Sequence, residues 1–152
     1  MNGAVYFTAT DAISGNELWK TDGTATGTIL VKDIFAGNDN SYPTSLTLAG
    51  NRIYFAATDA VNGTELWKTD GTPAGTVLVK DIFTGIVSGN PQYLTTVNGL
   101  VYFVVNDADY GTELWKSDGT AFGTAIVKDI FDGESSSFPA NLTCVGTKLF
   151  FK

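Results

Sequence analysis

Short runs rich in aromatic and β-branched residues alternate along this chain with Gly, Asn and Asp. That punctuation predicts strands joined by turns. Val5-Tyr6-Phe7, and Leu18 beside Trp19, place apolar side chains at consecutive positions. Side chains alternate across a strand, so such strands are apolar on both faces and need a covering layer on each. No segment carries an apolar i, i+3, i+4 stripe over about 11 residues, and Gly recurs too often for helix interiors.

The pattern repeats. Trp19, Trp67 and Trp115 stand 48 residues apart, as do Tyr6, Tyr54 and Tyr102, with Phe150 at the next step. Pro43, Pro91 and Pro139 keep the same spacing. Each copy carries Gly-x-Glu-Leu-Trp-Lys-(Thr/Ser)-Asp-Gly-Thr-x-x-Gly-Thr, two variable positions, then Val-Lys-Asp-Ile-Phe-x-Gly. The copies run 3–50, 51–98 and 99–146, and 147–152 starts a fourth. For one four-stranded unit the predicted strands are Leu94–Val97, Leu100–Asn106, Thr112–Ser117 and Thr124–Ile130, with turns at Asn98-Gly99 and Asp118-Gly119. Four antiparallel strands per copy, buried on both faces, predict an all-β protein: a β-propeller of four-stranded blades. Three copies fall short of the usual closed ring of about four to eight blades. The expectation is therefore closure by homo-oligomerisation, or a place in a longer array. The segments Ala4–Thr10 and Thr147–Lys152 both supply a second strand, so one of them is redundant in such a ring.

Composition narrows the functional classes. A net charge of −7 argues against nucleic acid and against anionic membrane. No apolar run reaches the roughly 18 residues of a membrane helix. No signal peptide is visible at Met1–Thr10. His is missing, which removes the commonest general base, and Cys144 stands alone, which removes an internal disulfide and a Cys-rich zinc site.

The segments Glu17–Thr24, Glu65–Thr72 and Glu113–Thr120 share the pattern Glu-Leu-Trp-Lys-(Thr/Ser)-Asp-Gly-Thr. In this the chain resembles the bacterial ELWxxDGT repeat proteins, sometimes labelled hyalin-like. The resemblance covers essentially the whole chain. It implies a propeller fold and a secreted or cell-surface location, and it carries no activity to any residue.

Three groups of residues could carry chemistry. Asp11 with Asp33, Asp59 with Asp81, and Asp107 with Asp129 lie near one edge by strand direction and could begin a Ca²⁺ site, which takes about six to eight oxygens. The alternative is that each carboxylate accepts N–H bonds of its own turn, the expected role of Asp22, Asp70 and Asp118 in Asp-Gly-Thr. Glu17, Lys20 and Lys32, with their counterparts, read as an ion-pair ladder between strands or blades. Trp19, Trp67 and Trp115 read as filler between blades, while Phe35, Phe83 and Phe131, at the end of the last strand of each copy, are candidates for a ligand groove.

The segments that differ between copies are 36–45, 84–93 and 132–141, with the shorter loops 12–16, 60–64 and 108–112. Strand direction puts all of them on one face. A constant frame with one variable face predicts a non-enzymatic module that binds glycan or protein. A purely structural, self-assembling scaffold is the alternative. A propeller hydrolase is the least favoured, because the innermost segments Ser45–Leu48, Tyr93–Thr96 and Asn141–Cys144 carry no acid.

Overall fold

The computed structural model describes residues 1 and 3–152. The described chain is all-β, with no helix. Strands β1 (Val5–Asp11), β2 (Gly15–Thr21) and β3 (Ile29–Lys32) form the first antiparallel sheet. β4 (Thr44–Ala49), β5 (Arg52–Asp59), β6 (Gly63–Thr69) and β7 (Val77–Lys80) form the second. β8 (Gln92–Val97), β9 (Leu100–Asp107), β10 (Gly111–Ser117) and β11 (Ala125–Lys128) form the third. β12 (Thr143–Val145) and β13 (Lys148–Phe150) form a two-stranded hairpin.

Equivalent strands pair in equivalent register. Phe7 faces Trp19, Phe55 faces Trp67 and Phe103 faces Trp115. A bulge after Leu18, Leu66 and Leu114 shifts the pairing with the last strand of each sheet. Its effect is to aim two successive residues at one neighbour. Val31 enters the core shared with the second sheet, and the next residue, Lys32, reaches the same sheet at the Thr76 carbonyl.

Two apolar layers hold the sheets together. Leu18, Val31 and Ile34 of the first sheet pack on Ile53, Phe55, Ala57 and Trp67 of the second. Tyr54, Leu66 and Val79 of the second pack on Val101, Phe103, Val105 and Trp115 of the third. Each sheet thus turns its Trp face backward and its Leu face forward along the chain. The first strands β4, β8 and β12 run side by side. They are tied by Thr47 Oγ1 to the Leu94 carbonyl at 3.2 Å and Thr95 Oγ1 to the Leu142 carbonyl at 3.4 Å.

The Asp-Gly-Thr turn packs against the preceding sheet. Gly71, at φ +92°, lies so close to the Tyr6 hydroxyl that a Cβ would sit 2.1 Å from it, and Gly119 meets Tyr54 in the same way. Glycine is required there both by the left-handed backbone and by the approaching phenol.

Burial along the stack follows from which faces have neighbours. Val31 and Val79 are 1% and 6% exposed, but their equivalent Val127 is 43% exposed. In the other direction Ile53 and Val101 are 7% and 0% exposed, and Val5 is 66% exposed.

Two strand boundaries of the third sheet differ from the sequence expectation by two residues. The last strand of the third sheet ends at Lys128 instead of Ile130, because the Ile130 N–H turns to the Glu113 carboxylate at 3.5 Å. The first begins at Gln92 instead of Leu94, its pairing carried past an irregularity between Gln92 and Thr95 where Tyr93 adopts φ 56°.

Val79→Ala is expected to lower stability by about 2 kcal/mol, from two lost methyls and the gap they leave. Val127→Ala should cost under about 0.5 kcal/mol in dilute solution. Urea midpoints of the two variants check this; equal losses would contradict the packing order described above.

Candidate functional site

The constant motif is a closed hydrogen-bonded turn. Asp22 Oδ1 accepts from Thr24 N at 2.9 Å and from the Thr24 hydroxyl at 2.7 Å. Thr24 Oγ1 in turn accepts from Gly27 N at 2.9 Å, and the Thr28 hydroxyl donates to the Thr24 carbonyl at 2.7 Å. The same bonds recur around Asp70 and Asp118. Hydrogen bonds from Thr24, Thr72 and Thr120 hold these three carboxyls below the usual carboxylate range.

Asp11, Asp59 and Asp107 cap the turns at the opposite end of each sheet. Asp11 Oδ1 accepts from the N–H groups of Ile13 and Ser14 at 2.9 and 2.6 Å, and these bonds lower its pKa. Asp59 accepts from Val61 and Asn62, and Asp107 from Asp109 and Tyr110. Asp33, Asp81 and Asp129 each accept through Oδ2 from the backbone N–H four residues on. Their Oδ1 atoms are buried without a hydrogen-bond partner, as are the indole nitrogens of Trp19, Trp67 and Trp115. Among the described residues no three His, Cys, Asp or Glu side chains converge as a metal cage would require. The expected pairing of Asp11 with Asp33, and of its counterparts, therefore gains no third acid, and oxygens of both partners are committed to their own turns.

Among the described residues, Glu17, Glu65 and Glu113 form no ion pair. Glu17, Glu65 and Glu113 are fully buried. Glu17 accepts from the N–H groups of Ile34, Phe35 and Ser41 at 3.1, 3.3 and 3.1 Å, and from the Ser41 hydroxyl at 2.5 Å. It pins the long loop between β3 and β4 onto the sheet. Glu113 does the same for the next long loop but one, through Ile130, Ser137 N–H and the Ser137 hydroxyl at 2.6 Å. Glu65 has Gly89 at the serine position, so only backbone donors reach it: Gly89 N at 2.8 Å and Ile82 N at 3.4 Å. Burial pushes its pKa up to about 7, with Asp81 adding to the rise. Burial also raises Glu17, opposed most strongly by the Ser41 hydroxyl.

The lysines cross between sheets to backbone oxygens. Lys20 and Lys68 donate to the carbonyls of Gly71 and Gly119 at 2.7 and 2.6 Å. Lys32 and Lys80 donate to Thr76 and Thr124, both at 2.9 Å, and lie 5.9 Å over the rings of Trp67 and Trp115. The ion-pair ladder expected from sequence is thus replaced by Glu-to-amide and Lys-to-carbonyl bonds. Among the described residues the only salt bridge joins Arg52 and Asp70 at 3.8 Å. Repeating positive and negative residues could not reveal this, because the backbone partners belong to loops and to neighbouring sheets.

The loops that differ between copies meet at one edge. Ser41 N donates to the Asn16 carbonyl at 3.1 Å, Asn90 N to Thr64 at 3.0 Å, and Phe138 N to Thr112 at 3.1 Å. Each long loop therefore lies on the short β-turn of its own sheet. Beside the third sheet this edge opens into a cleft of about 390 Å³, lined by Gln92, Tyr93, Asn106, Thr112, Phe138 and Pro139 among others. A second hollow of the same volume lies at the Asp-Gly-Thr edge between the first and second sheets, with Tyr6, Lys20, Asp22 and Asp70 in its wall.

Phe35, Phe83 and Phe131 line neither cleft. Phe83 packs against the core between the second and third sheets, and Phe131 is exposed. The aromatic residues of the loop-edge cleft are Tyr93 and Phe138, which a search for recurring aromatics passes over because they change between copies. The variable segments 84–93 and 132–141 contain both. No protein family, characterised protein or solved structure matches this chain.

Glu65 gives a pH signature. Its folded pKa lies above the ordinary value of 4.5, so the folded state holds the proton more tightly than the unfolded state. Stability from this group is present below about 4.5 and is lost as pH rises towards about 7. Gly89→Ser should supply the hydroxyl that Ser41 and Ser137 give their partners and so lower that pKa, although the new Cβ, 2.9 Å from Glu65 Oε2, makes the carboxylate shift slightly. The difference in urea midpoint between pH 5 and pH 8 is expected to shrink in this variant; an unchanged difference would contradict the assignment.

Proposed function

We propose that the chain is a β-propeller-type binding module of the ELWxxDGT kind, non-enzymatic, in a secreted or surface-attached bacterial protein. The fold part of this reading is supported by side-by-side first strands and by sheets that seal one another through apolar layers. The family and location rest on the resemblance of Glu17–Thr24, Glu65–Thr72 and Glu113–Thr120 alone.

The observation that carries the function is the division of each sheet into a fixed edge and a variable one. The Asp-Gly-Thr edge repeats the same bonds in every copy, while the other edge keeps its backbone anchors and changes its side chains. The buried Glu residues are occupied in holding these loops, which favours presentation of a surface over acid–base chemistry. An array of glycans and purified surface proteins tests the reading. A ligand whose capture is lost on exchanging loop 132–141 for loop 36–45, and kept in Thr24→Ala, supports it. No ligand of any class, or equal loss in Thr24→Ala, overturns it.

The open faces at Val5 and Val127 favour a second reading, a self-assembling scaffold. Both faces match, position by position, faces that are buried inside the stack, so further sheets of the same kind would fit them. Sedimentation velocity is expected to show species heavier than the 16.1 kDa chain, reverting to monomer in Val127→Asp. A stable monomer at every concentration would remove the scaffold reading.

A further inference from the structure

The cleft beside the third sheet has an uncharged lining in a strongly acidic protein. Its floor is apolar, with Val104 and Pro139 both buried. Tyr93 and Phe138 stand at its walls, 55% and 69% exposed. Both adopt left-handed backbone, at φ 56° and 50°. The equivalent residues Tyr42 and Asn90, and Ser45 and Asn141, share this backbone, so the frame sets the position of the two rings and only the side chains are particular to the cleft. The Phe138 segment is fixed on two sides: Phe138 N donates to Thr112, and Ala140 exchanges two backbone bonds of 3.0 Å with Lys152. The rings are therefore held in the solvent by an anchored backbone.

The polar groups are of one kind. Among the described residues, the side chains of Gln92, Asn106 and Thr112 make no hydrogen bond to the protein. Amides and hydroxyls both donate and accept without charge. Paired donors and acceptors beside aromatic faces suit a ligand that carries neighbouring hydroxyls on one side and C–H groups on the other.

This combination occurs once. One copy earlier, the positions of Gln92, Tyr93, Asn106 and Phe138 are taken by Thr44, Ser45, Thr58 and Asn90. Groups that serve the frame recur in every copy, and these do not.

We infer that this cleft binds a neutral carbohydrate, with Tyr93 and Phe138 against the sugar ring and Gln92, Asn106 and Thr112 on its hydroxyls. The inference rests on the binding-module reading and names the ligand class and the place. A neutral sugar suits the lining because an anionic one would meet the field of the protein's net charge of −7 with no cation in the cleft to offset it.

The test is calorimetric titration of the whole chain with neutral hexasaccharides of glucose, xylose, mannose and N-acetylglucosamine, and with an oligogalacturonide as the charged comparison. At least one neutral sugar is expected to bind, and Phe138→Ala and Gln92→Ala should each weaken it about tenfold or more. Tyr42→Ala, which removes the exposed aromatic at the Phe138 position two copies earlier, should leave affinity unchanged. Unaltered unfolding midpoints of these surface variants keep a folding defect from imitating the result. Sugar binding that survives Phe138→Ala, preference for the charged sugar, or a loop-dependent protein ligand with no sugar bound overturns the carbohydrate cleft while the binding-module reading stands. No ligand among sugars or proteins overturns both.

Discussion

Everything in this molecule depends on the fact that its sheets are apolar on both faces. A strand carrying Leu18 next to Trp19 cannot face water on either side without exposing a large side chain. Burial is reached only by stacking: the Leu face of one sheet closes on the Trp face of the next. The bulge beside Trp19 and Trp67 strengthens this closure by aiming two successive residues, one apolar and one cationic, into the same neighbour. The exposure of Val5 and Val127 is the same rule seen where the described stack has no next layer.

Charged residues in the constant motif are used on the backbone instead of on each other. A carboxylate buried at Glu17 is tolerable because four donors converge on it, and those donors are three amides and a hydroxyl of a long loop. The lysines satisfy carbonyls in the adjacent sheet, where a turn leaves them free. Loop anchoring and sheet docking are thus separated by sign: acids hold loops to their own sheet, and bases join sheet to sheet. Glu65 departs from the pattern in having Gly89 where the other copies have a serine, and burial without that hydroxyl pushes its pKa up to about 7.

This division explains how the loop edge can change its side chains while its shape persists. Ser41, Gly89 and Ser137 all give a backbone N–H to the buried Glu, whatever their neighbours are. Tyr42, Asn90 and Phe138 share a left-handed backbone despite their different side chains. The cleft at Tyr93 and Phe138 is therefore a substitution within a fixed frame: the backbone of Phe138 and Thr112 anchors the loop, and the chemistry of the cleft comes from side chains.

The all-β class, the strand positions to within a few residues, the turn at Asn98-Gly99 and the double-faced character of the sheets are determined by sequence, because alternation, glycine spacing and the recurrence at 48 residues are local or periodic signals. The partners of Glu17 and Lys32 were decided by tertiary structure alone: one bonds a loop of its own sheet and the other a carbonyl 44 residues away. The same holds for the cleft. Gln92, Tyr93, Asn106 and Phe138 are unremarkable in the chain, and only the packing of one sheet's loop against the next segment brings them around one volume. Periodicity marks what every copy shares, whereas a unique site is built from differences, and differences acquire meaning only when folding sets them side by side.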